Sequence, residues 1–138
     1  MTIAYWCIFV FFLLGWLLTL PAKILAGDIV KSNHNPRLKL EASEGLAKAF
    51  YNAHLNSIEM FAPFAISVIV AQIIGNISQT TIDYLAIAFL VTRIFYIVAY
   101  AKDWPTFRTT IWWTGALITL SFYAVSYTHL TLPTILLV

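Results

Sequence analysis

The residues with the greatest chemical potential lie in an apolar stretch. Lys48, Asn52, Asn56 and Glu59 recur at i, i+4, i+8 and i+11, which on a helix makes one polar stripe about 16 Å long. His54 falls on another face. Arg93, Tyr96 and Tyr100 follow at i, i+3 and i+7, again one face, and Arg108 opens the last apolar stretch. Ionised side chains at membrane depth cost about 2.5–3.5 kcal/mol each on insertion scales, so each calls for a partner or a purpose. One reading pairs Glu59 with Arg93 and uses the amides as interhelical glue. The other gathers the stripes around a charged, water-soluble ligand, with Lys48, Arg37, Tyr100 and Arg108 near its entrance; the joint pattern favours this one. His54 reads as a satisfied structural histidine and Cys7 as packing.

The elements that position these residues follow from composition. Of 138 residues, 61% are hydrophobic and 10% charged, against about 25% charged in an average soluble domain, so lipid is the solvent for most of the surface. A bilayer core of about 30 Å takes roughly 20 apolar residues per helix. Stretches at 3–26, 45–75, 81–101 and 108–127 meet that requirement, predicting an all-α, four-helix transmembrane bundle in one domain, residues 1–127. The first run has a signal peptide's position but no basic leader and no small-residue cleavage site, so it reads as a retained helix. The connections around 76–80 and 102–106 are short, implying antiparallel neighbours; residues 27–44 form the one long polar segment. Pro63 should bend the second helix, and Pro21 the end of the first. Trp104, Trp112, Trp113 and Tyr100 suit a membrane interface. The tail, 128–138, shows no helical stripe and is expected to be disordered, interfacial or foreign to the gene.

Lys23, Lys31, Arg37, Lys39 and Lys48 flank the first connection, and Lys102 and Arg108 the third, while the N-terminus, the second connection and the tail carry no Lys or Arg. The positive-inside rule then puts the first and third connections in the cytoplasm and both termini opposite. A net charge of +2 from eight basic and six acidic residues is too weak and scattered for a nucleic-acid footprint. The single Cys7 excludes an intrachain disulfide and a cysteine-rich metal site.

The segment Ala53-His54-Leu55-Asn56-Ser57-Ile58-Glu59 followed by Pro63-Phe64 resembles the second-helix signature of the MAPEG family, membrane-associated proteins in eicosanoid and glutathione metabolism. Arg93-x-x-Tyr96-x-x-x-Tyr100, Arg108 and Asn35-Pro36-Arg37 extend the resemblance, which is greatest to the bacterial branch, over about residues 3–127. It implies a homotrimer in the bacterial inner membrane with glutathione bound between neighbouring subunits toward the cytoplasm. The thiol would attack a lipophilic electrophile or reduce a lipid hydroperoxide. On this resemblance Asn56, Glu59, Arg93, Tyr96 and Tyr100 hold the tripeptide, Arg37 is a carboxylate partner and Arg108 stabilises the thiolate; no metal is implied. Lys48, Asn52 and Leu55 stand where some members carry arginine, and some members are lipid-binding proteins without transferase activity, so a non-catalytic lipid-binding or scaffold protein is the second reading. A small transporter using Glu59 and Arg93 as a charge relay ranks last, because broken helices and inverted repeats are missing from the sequence.

Overall fold

The computed structural model describes residues 1–27, 35–75 and 77–135, with side chains to 127. The described residues form helices α1 (Ile3–Leu17), α2 (Thr19–Leu25), α3 (Pro36–Glu41), α4 (Gly45–Ile74), α5 (Gln79–Ala101) and α6 (Pro105–Ile135). Lys31 of the first connection and position 76, where the second begins, lie outside the described residues.

The first crossing is α1 plus α2, interrupted at Leu18. The interruption lies three residues before Pro21, which has no N–H for the Leu17 carbonyl. Beside it, Thr19 Oγ donates to the Trp16 carbonyl (2.9 Å). Through Pro63, by contrast, α4 runs as one element of 30 residues. It ends at Gly75, whose φ of 71° is the left-handed cap that glycine takes without strain.

Three spans, Ile3–Leu25, Gly45–Ile74 and Gln79–Ala101, are long and apolar enough to cross a membrane. The fourth helix has the length, 31 residues, but a more polar sequence. Six of its hydroxyls are internally satisfied: those of Thr109, Thr110, Thr114, Thr119, Ser121 and Ser126 each donate to the carbonyl four residues earlier at 2.6–3.1 Å. A hydroxyl bonded to its own helix no longer carries an unmet polar group into lipid. This helix starts three residues before the expected 108 and continues past 127 to Ile135, so the tail begins as a continuation of α6 rather than as a separate segment. The short α3 was also not foreseen; it begins on Pro36, whose fixed φ suits a first helical position.

α4 packs against every other helix of the bundle. Phe11, Phe64, Phe89 and Phe122, one from each long helix, are essentially fully buried. Phe64 and Phe89 stack with centroids 3.9 Å apart, and Phe11 meets both edge-on at 5.9 and 5.1 Å. Lipid tails are as apolar as these rings, so close packing holds such helices together, and small residues permit it. Ala4, Ala22, Ala53, Ala71, Ala86 and Ala99 are completely buried. At Gly15 a Cβ would lie 3.1 Å from Ser57 Cβ, so the missing side chain sets the α1–α4 approach. At the end of the bundle away from Arg108, the Asp83 carboxylate on α5 accepts from Ala4 N in the first turn of α1 and from Gln79 Nε2, both at 2.9 Å. This caps one crossing from another.

Candidate functional site

The buried guanidinium of Arg93 is the joint between three helices. It is 1% exposed; Nη1 donates to Asn56 Oδ1 on α4 (3.4 Å), Nη2 to the Ile111 carbonyl on α6 (3.5 Å) and Nε to Thr92 Oγ (3.4 Å). Its Cζ lies 5.0 Å from the Phe89 ring centre and 5.1 Å from that of Tyr96, within range of cation–π attraction. Asn56 passes the contact on, its Nδ2 donating to Glu59 Oε2 (3.4 Å). The direct Glu59–Arg93 ion pair considered from sequence is therefore replaced by a relay through Asn56, and the two hydrogen bonds fix which way that amide points.

Room for the guanidinium comes from Gly115. A Cβ there would fall on Nη2, 2.9 Å from Cζ and 3.0 Å from Thr92 Oγ. Tyr96 is buried beside Arg93 and meets Tyr100 edge-to-face at 5.1 Å.

Two clefts flank α4 at the end where it begins. A cleft of about 430 Å³ between α4 and the α5–α6 turn is lined by Lys48, Asn52, Tyr100, Asp103 and Arg108, among others. The Arg108 guanidinium lies over the Tyr100 ring at 4.5 Å; among the described residues no carboxylate pairs with it. Lys48 donates to the Glu41 carbonyl at the end of α3 and lies 5.8 Å from the Tyr51 ring centre. The second cleft, about 700 Å³, lies between the first crossing, α3 and α4; Lys23, Arg37, Tyr51, His54, Leu55 and Glu59 are among its lining residues. His54 Nδ1 lies 2.8 Å from the Gly15 carbonyl. A carbonyl only accepts, so Nδ1 carries the proton and the other ring nitrogen is left toward the cleft.

The sequence-derived residues thus separate into three groups. Tyr100 and Arg108 share the first cleft, Arg37 and Glu59 line the second, and Arg93 with Tyr96 is packed inside the bundle, joined to Glu59 through Asn56. Sequence reasoning missed Asp103, Lys23 and Gly115. For Asp103 a signal existed, an acid between Lys102 and Arg108 in a short connection, whereas Gly115 carries meaning only once Arg93 is known to point at it.

A helical membrane bundle with ionisable clefts at one end and a buried arginine tying its helices together defines the class of protein. The family model described as MAPEG family matches residues 3–128, and the chain belongs to that family. No single characterised protein matches it significantly. Membership makes it an integral membrane protein with a function related in general to glutathione.

Proposed function

We propose that the chain is a glutathione-dependent membrane transferase or peroxidase, with its site completed between copies of a homotrimer. The observation that carries this reading is the division of the ionisable residues between two clefts on opposite sides of α4. Glu59 adds to it: it is exposed on α4 and lines the cleft that also holds Arg37, so its carboxylate faces out of the protomer. A neighbouring subunit that sets its Tyr100–Arg108 cleft against the Arg37–Glu59 cleft removes that exposure and joins the two halves.

In the joined site, Arg37 meets a carboxylate of the tripeptide, Asn56 and Glu59 hold its polar backbone, and Tyr100 walls the thiol end. Arg93 acts from behind by holding Asn56, and Tyr96 by packing against Arg93. Arg108, unpaired by any described carboxylate, favours the thiolate over the thiol. A free thiol has a pKa of about 8.5, and an adjacent guanidinium lowers such a value by about 1–3 units. The ionised sulfur attacks an electrophilic carbon, expelling its leaving group, or a peroxide oxygen, breaking the O–O bond to release an alcohol and leave a glutathione sulfenic acid that a second glutathione converts to the disulfide and water; the apolar partner enters from the bilayer. With the basic connections in the cytoplasm, glutathione arrives from that side.

The test is conjugation of glutathione to an activated aryl halide by the purified, folded protein and by Arg108→Ala. We expect turnover by the wild type that falls about 10–100-fold in the variant, the loss of thiolate implied by one to two units of thiol pKa. Background rates in a folded, assembled wild type would sink the proposal and leave lipid binding without catalysis, the reading favoured by Asn52 and Leu55 where some family members carry arginine.

A further inference from the structure

The cleft beside Arg108 contains one acid, Asp103, that the roles above leave unused. Its backbone is in the left-handed region, φ 52°, a conformation that glycine adopts freely and other residues at a cost. Three backbone hydrogen bonds hold the turn there: Lys102 N to the Val98 carbonyl, Asp103 N to Tyr100 and Trp104 N to Ala99, at 2.9, 3.2 and 2.9 Å. The side chain does not contribute to the turn. Among the described residues the Asp103 carboxylate accepts no hydrogen bond and forms no ion pair, although Lys48 and Arg108 line the same cleft. Three ionic groups thus border one cavity without neutralising one another. Lys48 uses one donor on the Glu41 carbonyl and retains others, and Arg108 contacts the Tyr100 ring by its face.

Two cations and one anion are the complement of a ligand with two anionic groups and one ammonium. We propose that Asp103 is the ammonium subsite of this cleft, taking the free amine at the γ-glutamyl end of glutathione while Lys48 and Arg108 face the ligand's anionic groups. The assignment rests on the glutathione reading and adds a basis for selectivity: a thiol lacking the amine leaves Asp103 without its cationic partner in the occupied site. A site that reads a charged group by a charge-assisted hydrogen bond discriminates strongly against the analogue without it.

The experiment compares the binding of glutathione and of its desamino analogue, in which hydrogen replaces the γ-glutamyl amine, to the full-length protein in detergent by calorimetry. Wild type should prefer glutathione by about tenfold. Asp103→Asn keeps a residue that tolerates the left-handed conformation and removes the charge. It should bring the two ligands within about twofold by weakening glutathione, with binding of the analogue unchanged. Asp103→Gly, which relieves the backbone, should behave alike and guards against a folding defect in the first variant. Wild type binding both ligands equally would overturn the subsite while leaving the glutathione reading intact, whereas wild type binding neither would end both. A preference that survives in Asp103→Asn and disappears in Glu59→Gln would also overturn it, by moving the amine to the other cleft.

Discussion

Arg93 shows how a charge is kept inside a membrane bundle. Its contacts spread one guanidinium over a side-chain amide, a backbone carbonyl, a hydroxyl and two aromatic faces, so no single carboxylate has to be buried with it. Arg93→Ala leaves Asn56 Oδ1 without its donor, at about 1–3 kcal/mol, and vacates the fully buried space that the side chain fills. Detergent thermal unfolding should register a marked loss; an unchanged midpoint would mean that the joint carries no stability. Gly115→Ala perturbs the same joint from the α6 side. Alanine adds about 1 kcal/mol of helix propensity, but the new methyl displaces the buried guanidinium from three hydrogen bonds worth about 1 kcal/mol each. Stability should therefore fall by about 2 kcal/mol, and glutathione affinity should fall with it as Asn56 and Glu59 lose their anchor. Spacing in the sequence was enough to put Arg93, Asn56 and Glu59 on facing stripes. It could not show the relay, because whether two charges pair directly depends on distances across helices.

At the scale of elements, the first crossing depends on partners far along the chain. Its N-terminal amide is held by Asp83, 79 residues away, and its Gly15 carbonyl by His54, 39 residues away. Asp83→Ala removes a cap of the kind worth about 0.5–2 kcal/mol and should increase hydrogen exchange at Ala4 and Tyr5 before it affects α6. Uniform exchange across the bundle would contradict an independent cap. Alternating apolar and polar runs made the four long helices legible. The bounds of the last were not, since Thr128, Thr131 and Thr134 look polar in sequence although the helix runs on to Ile135. The six-residue α3 was hidden for a different reason: at Pro36–Glu41 it is too short to have a periodicity of its own.

For the whole molecule, function turns on whether the two clefts of one protomer serve one ligand or two. A bound thiolate should show as ultraviolet absorbance on adding glutathione, with a titration midpoint below about 8.5 that returns toward that value in Arg108→Ala. The arrangement between copies is tested most directly by co-expressing Arg108→Ala with Glu59→Gln and assaying the mixed assemblies. Each variant alone has every site defective. If each site takes Arg108 from one subunit and Glu59 from its neighbour, random mixing restores about a quarter of the sites. Recovery of conjugation to roughly a quarter of the wild-type rate is the predicted result. No recovery from two individually inactive, correctly assembled variants would contradict the shared site and return both residues to a single protomer.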